Sequence, residues 1–372
     1  MAENTEKVTV RDVAAALEEF APTAYAEGFD NTGLLVGEPD APVTGILIAH
    51  DCLEQVVAEA ESAGCNLIVS FHPIIFSGLK SLTGKTYVER AVMRALRTGI
   101  AIYAIHTALD NAPQGVSDGM CRALDLTSCR VLVPQESTMK KITAFVPAAH
   151  ADAVREALFD AGAGRLGHYD RCSYGTDGTG TFRALDGADP FVGQVGQTHR
   201  EPETMLSAVF LRHLENGIVQ ALRAAHPYEM PAYEITPLDN LDGQTGMGKI
   251  GLLPRPMPET EFLYLLRDRF DARGIRYSAL RGRPVEKVAV LGGAGSFALK
   301  AALAAGADAY VSADFKYHDF FGAEGRILVA DIGHFESERF TKNILYGFLS
   351  KKFTIFAVRL SDLNTNPINY LQ

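Results

Sequence analysis

The sequence predicts an α/β protein in which one split α/β domain with mixed sheets is interrupted by an inserted α+β domain. Three observations carry this. Short apolar runs alternate with helical patterns near the start, the same alternation returns near the end, and the texture between the two blocks differs from both. The chain has 372 residues, and about 150 residues per domain gives two or three domains.

The elements follow in order. Thr9 and Asp12, three apart, form a capping-box pattern, and Val13, Ala16, Leu17 and Phe20 recur behind them at helical spacing. Apolar runs at Gly45–His50, Asn66–Phe71 and Ile100–His106 then alternate with helical patterns over 54–63 and about 85–98. The runs are rich in Ile, Leu and Val without alternation, as expected of strands covered on both faces. The late block repeats the scheme: Val288–Leu291, a helix from 296, Ala309–Ser312, Ile327–Ile332, a helix over 336–350, and Phe353–Val358.

Between them lie a strand-like Ile142–Val146, an amphipathic Ala151–Ala161, a Gly-dense segment from Gly175 to Gly196, a strand-like Met205–Leu211, a helix near 215–224 and a strand-like Ala232–Ile235. This reads as the strand–helix–strand–strand–helix–strand order of a ferredoxin-like module. The expected boundaries are 1–137 with 239–372 for the split domain and 138–238 for the insert. About 120 residues on either side of the insert are expected to supply half a sheet each, which disfavours three tandem domains.

Composition excludes several classes. Hydrophobic residues make up 47% and charged residues 22%, which is ordinary for a globular chain and argues against extended disorder. The net charge of −10 lacks the basic footprint that binding to a nucleic-acid backbone needs. No apolar run approaches the length of a membrane helix, and the stretch from Met1 to Arg11 is polar, without a signal-peptide core. Cys52, Cys65, Cys121, Cys129 and Cys172 are scattered and form no CxxC, which reads as free thiols in a reducing cytoplasm.

Three polar clusters stand just after expected strands. They are Phe71-His72-Pro73-Ile74-Ile75-Phe76, His106-Thr107-Ala108-Leu109-Asp110, and Asp331-Ile332-Gly333-His334-Phe335-Glu336-Ser337-Glu338. Ligands of open α/β sheets bind outside the carboxyl ends of strands, so these clusters can converge on one crevice. His334 and Glu338, four apart, project from one helix face. Three imidazoles and two carboxylates suit two divalent ions, and imidazole favours zinc, iron or manganese over calcium. Each histidine taken alone reads more readily as a strand-end cap or a core hydrogen-bonding group, and it is the coincidence of all three clusters that favours the metal site.

Other motifs compete. Gly293-Ala294-Gly295-Ser296-Phe297-Ala298 matches G-x-G-x-x-A, and Asp314 stands where a dinucleotide-binding unit needs an acid. The remaining tail is too short for a complete dinucleotide domain, so the turn reads as backbone packing or an approach to a substrate phosphate. His318, after the same strand, reads as a proton carrier or as a solvated helix-start residue. His226, beside Pro227, reads as structural.

The motifs resemble those of the NIF-three-like dinuclear metal-centre family, whose members carry the label GTP cyclohydrolase 1 type 2 homologue. The resemblance rests on Glu27-Gly28-Phe29-Asp30-Asn31-Thr32-Gly33-Leu34-Leu35-Val36-Gly37, the His72, His106 and His334 clusters, and the closing Asn364-Thr365-Asn366-Pro367. Phe145-Val146-Pro147 and Ala225-His226-Pro227-Tyr228-Glu229 resemble the PII- and CutA-related module of its longer members. The resemblance implies a two-metal site held by His72, Asp110, His334 and Glu338, with Glu338 as the bridge, and a ring-shaped homohexamer. The family pattern has two adjacent histidines before the proline, and here the first is Phe71. The second ion is therefore expected to be held more weakly, or His106 to compensate.

The family label implies a hydrolase in which metal-bound hydroxide attacks the purine imidazole ring of a nucleotide at C8, with His106 or His318 moving protons. A reading of a different class is a metal-binding regulatory or metal-handling protein whose insert senses a partner or small molecule.

Overall fold

The capping box at the start of the chain forms as the sequence predicts. In the computed structural model, which describes residues 7–371, Thr9 caps the helix Val10–Phe20: its Oγ1 accepts from the Asp12 amide, and the Asp12 carboxylate accepts from the Thr9 amide at 2.7 Å. The helix buries Val10, Val13, Ala16 and Leu17, the stripe that its spacing marks out. The polar start Met1–Glu6 lies outside the described residues. The chain divides into two units, Met1–Pro134 with Gly243–Gln372, and Gln135–Asp242.

The first unit holds two mixed sheets. Strands β1 (Gly33–Val36), β2 (Gly45–Ala49), β3 (Leu67–Ser70) and β4 (Ala101–Ala104) come early, followed by β5 (Thr127–Pro134). The second unit carries β6 (Met139–Pro147), β7 (Tyr174–Arg183), β8 (Thr198–Leu211) and β9 (Tyr233–Leu238). The chain then returns through β10 (Gly246–Met257), β11 (Arg276–Tyr277), β12 (Val285–Ala294), β13 (Ala309–Ala313), β14 (Leu328–Asp331) and β15 (Ala357–Leu360).

The first sheet has the order β1-β4-β3-β2-β15 and the second β11-β14-β13-β12-β10-β5. Within them β2, β3 and β4 are parallel, as are β12, β13 and β14. Their buried, β-branched sequences match this: Leu47, Ile68 and Ile102 pack on one face of the first sheet, and Ile46, Ile48, Leu67 and Val69 on the other.

The flanks do not supply half a sheet each. Each builds most of its own sheet and lends one strand to the other: β15 pairs in parallel with β2 (Ala357↔Gly45), and β5 pairs antiparallel with β10. Run length and periodicity mark which segments are strands but carry no information on which sheet completes itself with which edge. The helix expected over 336–350 is two helices, His334–Glu338 and Thr341–Lys352.

The second unit has one antiparallel sheet, β7-β8-β6-β9, with helices Ala151–Asp160 and Glu215–Ala225 packed on a core of Ile142, Val154, Leu158, Leu206, Phe210, Ile218 and Leu222. The Gly-dense segment contains strand β7. Gly180 lets the Glu203 carboxylate of the neighbouring strand lie over it, and a Cβ there would make that side chain shift. His226 has both ring nitrogens engaged, by the Phe145 carbonyl and the Tyr228 amide, which agrees with a structural residue. All five cysteines are free. Among the described residues, no helix is long and apolar enough to cross a membrane.

Candidate metal centre

The parallel strands of both sheets in the first unit deliver polar residues at their carboxyl ends. His50 and Asp51 follow β2, His72 follows β3 and His106 follows β4. From the second sheet, Asp314 follows β13, and β14 leads through Gly333 into the short helix that carries His334 and Glu338.

Three of these imidazoles converge on one atom. Oε2 of Glu338 lies 3.3 Å from Nε2 of His50, 3.3 Å from Nε2 of His72 and 3.3 Å from Nε2 of His334. The Glu338 side chain is 3% exposed, and this oxygen has no partner in hydrogen-bond geometry. A buried carboxylate oxygen facing three ring nitrogens without a formed hydrogen bond is a costly arrangement unless something else satisfies it. Donors about 2.1 Å from a shared ion at a tetrahedral angle stand about 3.4 Å apart, so the spacing fits a cation between them. Among the described residues, two sets of side chains could hold an ion, His72 with His334 and Glu338, and His50 with Asp51 and His72.

Each imidazole is fixed from behind. Nδ1 of His72 lies 2.8 Å from Asp51 Oδ1, Nδ1 of His106 lies 2.8 Å from Asp30 Oδ1, and Nδ1 of His334 lies 2.7 Å from Asp314 Oδ2. Nδ1 of His50 faces the Thr341 hydroxyl at 3.2 Å. Asp51 in turn accepts from Thr365, and Asp30 accepts from the Thr107 amide at 3.0 Å. Outer carboxylates of this kind select the ring tautomer and raise ligand basicity.

The electrostatics follow from this wiring. Burial opposes a charged His72, but the Asp51 and Glu338 carboxylates outweigh it and hold its pKa up at about 9. Burial likewise opposes the charge on His334, which Asp314 and Glu338 hold up at about 11. For Glu338, burial is overcome by the His334, His50 and His72 rings, which keep it well below the usual carboxylate range. Asp110 goes the other way: burial and then the neighbouring Glu338 charge push it well up, against the pull of His72 and His334. Asp30, despite burial, is lowered to about 2 by His106 and Thr107.

Of the residues singled out in the sequence, His72, His334 and Glu338 meet directly, and Asp110 shares their electrostatic field. His106 joins through its ring, with centroids 5.1 Å from His72. His318 stands apart: it is exposed, and its ring neighbours are Tyr317 and Phe321. Phe71 is fully buried, with its ring centroid 4.9 Å from that of His72. The sequence reading missed His50, Asp51 and the role of Asp314. The signal for His50 was its place at the carboxyl end of a strand, the same rule that found His72 and His106.

The glycine motif has a local explanation. Gly293, at φ +69°, lies against Glu338, and a Cβ there would overlap Glu338 Oε1; its amide donates to Ser337 Oγ at 2.9 Å. The turn is bare because the carboxylate lies over it.

A family model described as Duf34/NIF3 (NGG1p interacting factor 3) matches residues 8–367. A Bacillus subtilis protein named GTP cyclohydrolase 1 type 2 homolog is 35% identical, across 98% of this chain and 100% of its own length. A protein of the same name from Mycobacterium tuberculosis is 36% identical, across 89% of this chain and 88% of its own. Among solved structures, a Bacillus cereus protein related to NIF3 superimposes with a TM-score of 0.84 at 34% identity, covering 99% of this chain and 100% of that one. The Staphylococcus aureus protein SA1388 shares the fold, with a TM-score of 0.77 at 24% identity and the same coverage.

Proposed function

The chain belongs to the Duf34/NIF3 family, and from that premise we propose that it is a hydrolase dependent on two divalent ions, zinc, iron or manganese, acting on a nucleotide or related heterocycle. The observation that carries this reading is the buried Oε2 of Glu338, faced by three imidazole nitrogens and satisfied by none. His72, Asp110, His334 and Glu338 would hold the ions. Bound there, such ions would supply a lowered pKa to a bound water and polarisation of the substrate.

The chain's own groups do the rest. Asp51 and Asp314 orient His72 and His334 through their Nδ1 atoms. His106, beside His72 and held by Asp30, carries the proton to or from the reacting group. His318, in its exposed position, is the weaker candidate for that role. The name of the curated relatives makes GTP the first substrate to try. The inserted unit takes the part of a ferredoxin-like, PII/CutA-like module, a reading supported by its strand order and its two helices; with it go a homohexameric assembly and a cytoplasmic location.

The test is metal analysis of the purified protein, followed by assay of the reconstituted form against GTP and other nucleotides. Turnover that disappears in Glu338→Ala supports the enzyme. Full metal occupancy with no turnover on any nucleotide rejects it. One observation favours the second reading, of a metal-binding regulator. The inserted unit contains a cavity of about 490 Å³ walled by Phe145, Phe182, Phe191 and Tyr228, with the Glu203 carboxylate among them. Small-molecule binding there that leaves an inactive, metal-filled centre unchanged selects that reading.

A further inference from the structure

We propose that His50 is a metal ligand, filling from the end of β2 the coordination place beside His72 that Phe71 cannot fill. The centre then holds two ions of comparable affinity. This rests on the metal-centre reading above and deepens it.

The geometry of His50 matches that of the two histidines already assigned. Its Nε2 stands at the same 3.3 Å from Glu338 Oε2 as those of His72 and His334. Its Nδ1 is taken by the Thr341 hydroxyl at 3.2 Å, which leaves Nε2 to face the site. The ring is 4% exposed and its plane is fixed on two sides. Phe71 stacks on it with centroids 5.5 Å apart at 27°, and Phe335 meets it edge-on at 4.9 Å. A ring clamped in this way loses little freedom when a ligand binds. His50 also belongs to the second candidate set, with Asp51 and His72.

Phe71 therefore acts as a wall, not as a lost ligand. It offers no donor, but its face holds the imidazole that does. This revises the sequence expectation of a depleted second position, and it locates the compensation at His50. His106 is in neither candidate set.

The buried imidazole has another reading, as a structural group tied only to Thr341, and metal stoichiometry separates the two. The full-length protein is stripped with a chelator, and zinc and manganese are titrated back by calorimetry, with bound metal counted by elemental analysis. The expected result is two ions per chain in the parent protein. In both His50→Ala and His50→Gln, one ion is lost or weakened at least about 100-fold, since removing an outer-shell partner alone costs about 10–100-fold. His50→Gln keeps a polar side chain beside Thr341, so circular dichroism of that variant guards against a folding artefact. Cobalt(II) substitution adds a spectroscopic readout, in which loss of a nitrogen donor changes the visible bands. Two ions retained in both variants with unchanged affinities and spectra overturn the role of His50 and leave the metal centre standing. A single ion in the parent protein overturns the claim of two. No ion at all in the parent protein overturns the metal-centre reading itself.

Discussion

Gly293→Ala is the sharpest probe of what the glycine turn is for. If the turn cradles a phosphate, an added methyl disturbs substrate binding and leaves the empty protein intact. If it exists to seat Glu338, the same methyl damages the protein before any substrate is present. The backbone at Gly293 has φ +69°, where an L-residue costs about 1–2 kcal/mol. The new Cβ would overlap Glu338 Oε1 and stand 3.5 Å from His334 Cε1, and a methyl forced into a packed interior adds about 1–3 kcal/mol. The sum is about 2–5 kcal/mol, together with displacement of the carboxylate that faces His50, His72 and His334. The chain has no tryptophan, so urea unfolding is followed by far-ultraviolet circular dichroism, with metal binding titrated in parallel. A variant as stable as the parent, with equal metal affinity and a weakened nucleotide interaction, refutes this reasoning and restores the phosphate reading.

Asp314→Asn is expected to weaken metal binding about 10–100-fold without unfolding the chain, checked by competition with a chromophoric chelator. Asparagine also suits the left-handed backbone of Asp314 at φ +56°. Arg281→Ala leaves the buried Glu259 carboxylate without the guanidinium that now bonds it at 3.1 Å, and about 3–5 kcal/mol of stability is lost in urea titration. The same cluster sets an acid limit. Burial works against the charged forms of Glu259 and Asp308, but the Arg281 guanidinium and backbone amides hold both carboxyls below their ordinary values of 4.5 and 3.8. Their stabilising contribution is complete above those values and disappears as pH falls through the lower folded ones, so the urea midpoint drops as pH falls below about 4.5 and this drop shrinks in Arg281→Ala.

The sequence made much of this visible, for physical reasons. The capping box, the buried parallel strands and the His334/Glu338 pair all depend on neighbours a few residues apart, and local spacing reports them directly. The family assignment drew on the same local motifs, and the family comparison supports it. What stayed hidden depends on distant pairs. His50 has no spaced partner in its own segment; its companions are Thr341 and Glu338, nearly three hundred residues away. Asp314 stood out in the sequence only as the acid a dinucleotide-binding unit would need, a reading the short tail disfavours, whereas in the structure it holds the Nδ1 of His334. The strand exchange between flanks, β15 into the first sheet and β5 into the second, leaves no mark on periodicity at all.

That exchange explains how a site can draw on both sheets. His50, His72 and His106 come from the first sheet, His334 and Glu338 from the second, and each sheet is completed by a strand from the other flank. The closing segment adds a further tie, because Thr365 donates to Asp51, which orients His72. The Glu338, Asp51 and Asp314 carboxylates push the pKa values of His72 and His334 upward against burial, to about 9 and about 11, so the surroundings of both rings favour positive charge. Imidazole binds a metal only through a deprotonated nitrogen, so an ion entering there competes with protons and its affinity rises with pH. The Glu338 carboxylate is thus buried where imidazoles from both sheets face it, and a cation among them would compensate its charge.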